Sequence, residues 1–274
     1  MVIACVIPDI PWVALKLLLA THLFNPYDLR LYCTVQASLL FCLVLAAGLC
    51  FLTQKSLKIF VILATNSLFH LLLDSLQIKW GNGVHIIAPV NWKMYHLDLL
   101  WPEFIGTLLL TVVGFIYLIY NWKAIIDNSP LRLPPNKAKL AMAGAMLSLY
   151  CLGPFCFMNQ LEETNTYFIQ TMRYTEARPG KTIKLDRAHY FAETHEVKIY
   201  SGERLRVIGK LPQESGRVSF SGVFKDSKTI LSLDYHLHTD HRDYASLIGL
   251  FMACALVLQS LILVKINSIK SQRG

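Results

Sequence analysis

Five long apolar stretches constrain the fold of this chain more than any other feature of its sequence. Each approaches the roughly 20 residues that a helix needs to cross a bilayer. They cover residues 31–52, 57–76, 104–122, 140–158 and 245–264. Only 16% of the 274 residues are charged, whereas a soluble domain carries about a quarter. The sequence therefore predicts an integral membrane protein of mainly α-helical class, with a polytopic bundle of five transmembrane helices.

The first 24 residues are also apolar, but they are interrupted. Pro8 and Pro11 flank Asp9, and two prolines this close together disfavour a continuous helix through residue 9. We expect a short helix over residues 12–24, either as a short span or as a re-entrant element entering from outside. The first alternative leaves Asp9 on the cytoplasmic side. The second lets Asp9 approach the outer ends of the spans, and an acidic residue between prolines favours it.

The positive charge is confined to short connections. The link after residue 51, the loop after residue 122 and the C-terminal tail hold nine basic residues and one acid, Asp127, whereas the remaining 17 basic and 17 acidic residues balance. This is the positive-inside pattern, so we expect these three segments in the cytoplasm. No separate basic patch remains for nucleic acid. The expected partner is the lipid bilayer.

An insert of opposite character lies between the last two predicted spans. Residues 204–208, 217–220 and 229–238 alternate polar with apolar side chains, as half-buried strands do, and Gly202, Gly209 and Gly216 punctuate them. Five or six such strands predict a small antiparallel barrel or sandwich, with the five-stranded OB type as one option. The predicted domains are residues 1–158, transmembrane; 159–243, an extracytoplasmic β-domain; and 244–274, a last span and basic tail.

His70 and Asp74 lie inside the predicted span 57–76, one helical turn apart, so their side chains project from one face. Ionisable groups in a membrane span are costly and indicate a functional site. An imidazole and a carboxylate so spaced are suitable ligands for a divalent metal, zinc or manganese. A proton relay and a hydrogen-bonded pair that joins helices are the alternatives.

The loop after this span adds candidates on the same side. Gly81 and Gly83 permit tight turns, so His85 can fold back over the helix end as a further metal ligand. His96, Asp98 and Glu103 follow in the same loop, with an interfacial position expected for His96 and Asp98.

Three segments together resemble the membrane-bound metal-dependent hydrolases, a family of small bacterial inner-membrane proteins. They are residues 7–10 (Ile-Pro-Asp-Ile), residues 70–74 (His-Leu-Leu-Leu-Asp) and residues 80–92, which begin Trp-Gly-Asn-Gly-Val-His. The resemblance covers residues 1–122 and implies a polytopic helical fold with a metal held by His and Asp side chains. It supports His70, Asp74 and Asp9 as ligands. The early His-Arg and Thr-His-Ser motif of the family is missing from residues 28–38.

A second histidine cluster closes the β-domain. His236, His238, Asp240 and His241 match the HxHxDH pattern of metallo-β-lactamase-type hydrolases. Only 33 residues follow, without a histidine, so the further ligands of that fold are missing. A solvated strand end is the simplest interpretation, and a metal-binding or pH-responsive patch beside the membrane is the alternative.

The sequence thus favours metal-assisted hydrolysis at the outer membrane–water boundary, on a lipid head group or another amphiphile such as a phosphoester. The position of the site alone suggests that substrate. One alternative is a non-enzymatic scaffold whose β-domain binds an envelope protein. A proton-coupled transporter is disfavoured, because only one span carries ionisable groups at depth.

Overall fold

The computed structural model describes residues 6–53, 56–127, 136–164, 169–239 and 241–273. Helices form the N-terminal part, a barrel follows, and one helix closes the chain. The helices are α1 Ile10–Ala20, α2 Pro26–Gln36, α3 Leu39–Phe51, α4 Ser56–Ser75, α5 Ile105–Tyr120, α6 Trp122–Asp127, α7 Lys137–Leu152, α8 Met158–Thr164, α9 Thr171–Arg173 and α10 His241–Arg273. Short 3-10 turns cover Ile7–Asp9, Gly153–Cys156 and Thr175–Ala177.

Two helices among the described residues are long and apolar enough to cross a membrane. They are α4 and the segment Lys137–Cys156, which joins α7 to the 3-10 turn after it. The pair α2 and α3 makes a third if the two helices form one broken span. Helix α5 and the segment Asp243–Gln259 of α10 are apolar but shorter. By length and composition the described chain therefore offers two or three spans, and the expectation of five stays a prediction.

The predicted span 31–52 contains a sharp break. It consists of the end of α2 and all of α3, and the axes of these two helices are bent by 67°. Ser38 takes an extended conformation at the break, and the backbone N–H of Leu39 donates to the carbonyl of His85 at 3.2 Å. The loop after α4 thus supplies an acceptor for the exposed end of α3, as helix termini require.

Helix α1 is too short to cross a bilayer. Its 11 residues extend about 16 Å, roughly half of the hydrocarbon thickness. The turn before it is anchored, because Ile7 and Pro8 are buried against the helices. Whether this segment is a short span or a re-entrant element stays a prediction.

An irregular segment, residues 76–104, connects α4 to α5 and lies across the end of α4. Leu97 N–H donates to the Ser75 carbonyl at 2.7 Å, and Ile78 N–H donates to the Leu100 carbonyl at 2.8 Å. Trp80 and Trp101 pack edge to face, with ring centroids 5.5 Å apart. These contacts hold His85 and Glu103, at two points of the same segment, in fixed places.

The β-domain is a closed barrel of five strands: β1 Thr182–Phe191, β2 Glu196–Lys198, β3 Arg204–Gly209, β4 Gly216–Phe224 and β5 Thr229–Leu237. The strand order is β1-β2-β3-β5-β4, closed by pairing of β1 with β4. Alternate residues of each strand point inward, and Leu205, Val207 and Phe220 are among those fully buried. The predicted small barrel is therefore confirmed.

The prediction of an antiparallel barrel was wrong in one pair. Strands β3 and β5 run parallel, with Val207 opposite Ile230, so the barrel is mixed. Alternation of side chains reports only that a strand has one buried face; it does not report the direction of the neighbouring strand.

Gly81 fixes the loop against the barrel, and its replacement is our first prediction. Its φ is +69°, and a Cβ at this position would collide with the carbonyl oxygen of Lys184 in β1. Because a backbone oxygen cannot move aside cheaply, Gly81→Ala should lower the free energy of unfolding by about 2–4 kcal/mol. Gly180 is the matched control: its φ is +78°, but a Cβ there meets nothing within 4 Å. Gly180→Ala should cost only about 1 kcal/mol of backbone strain. Thermal unfolding of both variants measures the difference, and equal costs would contradict the contact.

Candidate metal centre

The first candidate group lies at the end of α4. His70 and Asp74 project from the same face, and His70 Nε2 is 3.9 Å from Asp74 Oδ2. Both side chains are largely shielded, with 21% and 24% of their surface exposed. A histidine and a carboxylate one turn apart therefore face each other near the C-terminal end of an apolar helix.

Asp9 joins this pair from the N-terminal turn. Its Oδ1 lies 3.6 Å from His70 Nε2, and 52% of its side chain is exposed. The proline-containing turn Ile7–Asp9 packs against α3 and α4, and this contact brings Asp9 to the helix end. One imidazole nitrogen thus has carboxylates from two separate segments within 4 Å.

His85 is close to this group but is enclosed differently. It is only 3% exposed, and burial lowers its pKa to about 4, against a small opposing effect of a hydrogen bond with the Trp92 backbone. The imidazole is therefore neutral at pH 7. Its Nδ1 is buried without a hydrogen-bond partner among the described residues.

A small cavity connects His85 to the helix end. Its volume is about 40 Å³, enough for a few waters, and its wall includes Asp74, Lys79, His85 and Trp12. Lys79 Nζ lies 3.1 Å from Asp74 Oδ1, the oxygen that does not face His70. Lys79 thereby compensates the charge of Asp74 and leaves Oδ2 directed at the imidazole.

The donor types of this group suit a divalent cation, but in the described part of the chain it is not among the groups whose three ligand atoms all lie within 4.8 Å of one another. Two carboxylates and one imidazole are ordinary ligands of zinc and manganese. Ligand atoms each about 2.1 Å from a tetrahedral ion lie about 3.4 Å from one another. The two separations from His70 Nε2, 3.6 and 3.9 Å, are close to that value.

A second group was not assembled by sequence reasoning. Glu103, His236 and His238 offer ligand atoms that all lie within 4.8 Å of one another, and such a group could hold a metal ion. His236 is the penultimate residue of β5 and His238 follows the strand, whereas Glu103 lies two residues before α5. Glu103 Oε2 is buried without a hydrogen-bond partner among the described residues, 3.7 Å from His236 Nε2.

In the structure this second group is closed by hydrogen bonds. Glu103 Oε1 lies 2.7 Å from His238 Nδ1 and accepts from Arg187 Nη1 at 2.8 Å. Burial raises the pKa of Glu103, but the hydrogen bond with His238 and the nearby charges outweigh it, so the pKa is lowered. Burial lowers the pKa of both His236 and His238. A metal at this group must therefore displace the Glu103–His238 hydrogen bond.

Ser219 extends this network. Its Oγ lies 2.7 Å from His238 Nε2, so serine, histidine and glutamate are connected in the order of a charge-relay triad. However, Ser219 is fully buried and its Oγ accepts the backbone N–H of Arg187 at 3.1 Å. A nucleophile without access cannot reach a substrate, so the contact positions the His238 ring.

The remaining sequence candidates lie apart from both groups. His96 Nδ1 and Asp98 Oδ2 form an exposed pair at 2.7 Å. Asp240 lies outside the described residues, and the same holds for the side chain of His241. Of the predicted histidine motif, His236 and His238 are thus the described members.

Comparison of the chain with protein-family models, curated proteins and solved structures found no match. The site must be judged on its geometry. Asp9 and Asp74 each have a carboxylate oxygen within 4 Å of His70 Nε2, and His85 shares a cavity with Asp74. Lys79 and Arg187 were missed by sequence reasoning. Lys79 lies five residues after Asp74, so their proximity in the sequence could have indicated the pair. Arg187 is 84 residues from Glu103, and nothing in the sequence relates the two.

Proposed function

We propose that this protein is a membrane-bound metal-dependent hydrolase whose centre consists of Asp9, His70 and Asp74. The observation that carries the proposal is the position of His70 Nε2, 3.6 Å from Asp9 Oδ1 and 3.9 Å from Asp74 Oδ2. Two carboxylates around one imidazole at the end of an apolar helix are more than a helix pair needs for packing. The resemblance of residues 1–122 to the metal-dependent hydrolases supports the same three residues.

The protein's own residues have separable tasks in this proposal. Asp9, His70 and Asp74 hold the cation, and Lys79 fixes the orientation of the Asp74 carboxylate through its other oxygen. Trp12 and Leu71 in the cavity wall limit the entry of bulk water. The bound cation supplies a water of lowered pKa and polarises the bond to be cleaved.

The proposal includes the finer topology expected from the sequence. Five spans, a cytoplasmic C-terminus and an extracytoplasmic barrel place the centre at the outer boundary of the inner membrane. An amphiphile is the substrate that this position favours, with a phosphoester as the bond to be cleaved.

The second prediction tests the metal. Full-length protein purified in detergent should contain about one equivalent of zinc or manganese by mass spectrometry, and His70→Ala and Asp74→Ala should each lose at least about nine-tenths of it, because each removes one of three ligands. His96→Ala removes an exposed imidazole elsewhere and should retain the metal.

The same measurement separates the two groups. Glu103→Ala and His236→Ala should leave the metal content unchanged. Loss of metal from these two variants, with retention in His70→Ala, would move the centre to the barrel and overturn the proposal. Protein without bound metal would overturn it as well. Hydrolysis is then assayed with bis(p-nitrophenyl) phosphate and with short-chain phosphatidic acid, and His70→Ala should be inactive on both.

One observation favours a second candidate, the non-enzymatic scaffold. Leu233, Tyr235 and Leu237 alternate on the outer face of β5 and are 51%, 37% and 39% exposed. An apolar stripe on a barrel is a surface that an envelope protein can cover. Replacement of Leu233 and Leu237 by serine distinguishes the candidates, because it should leave metal binding and hydrolysis intact if the protein is an enzyme.

A further inference from the structure

A cavity beside the barrel lies where β1 and β4 meet helix α2. Its volume is about 230 Å³, far more than the roughly 15 Å³ that one water needs. Its wall contains the basic side chains of Arg30, Arg187, Lys198 and Arg217, together with His189 and Asp186. The barrel and the helical part thus enclose a strongly basic space that the proposed metal centre does not use.

Part of this positive charge is compensated from outside the cavity. Arg187 pairs with Glu103 at 2.8 Å and with Asp243 at 3.1 Å, and Arg217 pairs with the same Asp243 at 2.9 Å. Lys198, in contrast, forms no salt bridge within the described ranges. Four basic side chains thus line the cavity together with one acid, Asp186, and two of the four, Arg187 and Arg217, are paired with Glu103 or Asp243.

Arg30 is held in place by aromatic rings. Its guanidinium lies 4.5 Å from the centroid of the Tyr200 ring and 5.7 Å from that of Trp12. Stacking engages the face of a guanidinium, whereas its N–H donors point outward in the plane of the group. Arg30 therefore presents an ordered positive charge in the cavity wall.

The backbone of β1 is shaped around the same space. The pairing of β1 with β4 shifts between Leu185 and Ala188, and the two residues in this bulge, Asp186 and Arg187, both line the cavity. Arg187 has a φ of +50°, which a residue with a side chain adopts only at a cost. Bulges often re-aim side chains next to functional sites, and this one turns Arg187 and Asp186 to the cavity wall.

We propose that this cavity binds a phosphate group through Arg30, Lys198 and Arg217. The phosphate belongs either to a lipid head group or to a free phosphorylated molecule, since both present the same oxygens. The inference stands on its own and does not require the metal centre. The two sites are nevertheless neighbours, because Thr34, one helical turn after Arg30, lines the smaller cavity that contains Asp74 and His85.

The third prediction tests this site by calorimetric titration of the full-length protein in a neutral maltoside detergent. The probes are inorganic phosphate, dihexanoyl phosphatidic acid and dihexanoyl phosphatidylcholine. Lys198→Gln removes one exposed charge from the cavity wall and should weaken binding about tenfold, because a charge-assisted contact is lost. Arg30→Lys keeps the charge but removes the planar fork, and should weaken binding to a similar extent.

Lys225→Gln is the matched control. Lys225 is an exposed lysine one residue beyond β4, eight positions and about 26 Å along the strand from Arg217. Lys225→Gln makes the same charge change as Lys198→Gln, but outside the cavity. The affinity of this variant for phosphate should therefore stay within about twofold of that of the original protein. Thermal unfolding of each variant confirms that the barrel is intact, and Lys198→Gln keeps the test valid if Arg30→Lys is unstable.

The three probes distinguish the sources of the phosphate. Binding of phosphate and phosphatidic acid with equal dependence on Lys198 supports a site for the group itself. Binding of phosphatidic acid alone supports a lipid head group, and binding of inorganic phosphate alone supports a soluble ligand. The proposal is overturned if neither binds, if Lys198→Gln behaves as Lys225→Gln does, or if phosphatidylcholine binds equally well, since acyl chains would then drive binding.

Discussion

Arg178→Met should lower the free energy of unfolding of the barrel by about 3–5 kcal/mol, the cost of breaking a buried ion pair. The Arg178 side chain is fully buried, and its Nη1 and Nη2 donate to the two oxygens of Glu203 at 2.7 and 2.8 Å. The guanidinium also donates to the backbone carbonyls of Thr171, Met172 and Ser227. These acceptors come from three parts of the chain, so the loss of Arg178 removes a donor from each of them.

Hydrogen exchange of the barrel amides, followed by mass spectrometry, measures this effect in the full-length protein. Arg178→Lys keeps the charge but cannot reach five acceptor atoms, and should lie between the original protein and Arg178→Met. Arg204→Ala is the control: Arg204 pairs with Glu196 at 3.3 Å, and the two side chains are 54% and 34% exposed. Its loss should cost less than about 1 kcal/mol. If exchange in Arg178→Met were no faster than in Arg204→Ala, the buried pair would not hold the barrel.

The barrel shows how far the sequence could predict this fold. The alternation in residues 204–208, 217–220 and 229–238 located β3, β4 and β5, because a strand with one buried face imposes a period of two. The parallel pairing of β3 with β5 has no signature in the sequence of either strand. The importance of Arg178 was equally hidden, since an arginine before Pro179 and Gly180 looks like part of a solvated turn.

The helical part shows a similar limit. His70 and Asp74 were recognised because they are local: one turn of one helix places them together. Asp9 comes from a separate segment, the turn before α1, and the sequence only allowed it to approach this pair; the structure has Asp9 Oδ1 3.6 Å from His70 Nε2. The break between α2 and α3 could not be predicted, because the acceptor for Leu39 is the carbonyl of His85, 46 residues away.

The second candidate group was the hardest feature to predict from the sequence, because its residues come from both the barrel and the helical part. Glu103 and His238 are 135 positions apart in the chain, and no periodicity relates them. Glu103 follows Trp101 and Pro102 in an irregular segment, where an acidic residue normally indicates a solvated loop. Its burial arises only because the end of β5 packs over that segment, with the ring of His236 stacked on Trp101 at 3.6 Å.

Replacement of Glu103 by alanine should therefore loosen the junction of the barrel with the helical part. Its carboxylate is 13% exposed and bonds both Arg187, also 13% exposed, and the fully buried ring of His238. Without Glu103, the Arg187 guanidinium keeps Asp243 as its one salt-bridge partner among the described residues, and His238 Nδ1 loses its hydrogen bond. We expect the free energy that holds this junction closed to fall by about 3 kcal/mol. This is the lower end of the range for breaking a buried ion pair, because Asp243 still compensates the charge of Arg187.

This loss should be local. Hydrogen exchange should accelerate by about a hundredfold in residues 97–104 and at the end of β5, the factor that corresponds to about 3 kcal/mol. Strands β2 and β3, which make no contact with Glu103, should exchange as in the original protein. Glu103→Gln retains an acceptor for Arg187 but not the charge, and should give an intermediate acceleration.

His96→Ala is the control within the same segment. His96 and Asp98 form a histidine–carboxylate pair of the same 2.7 Å length, but their side chains are 42% and 38% exposed. Water replaces the lost partner there, so exchange of residues 97–104 should change by less than about fivefold. Equal acceleration in Glu103→Ala and His96→Ala would mean that the segment is held by its backbone contacts to α4 alone. A larger effect of Glu103→Ala assigns the junction to the buried charge, because the two variants break the same type of hydrogen bond and differ in its exposure to water.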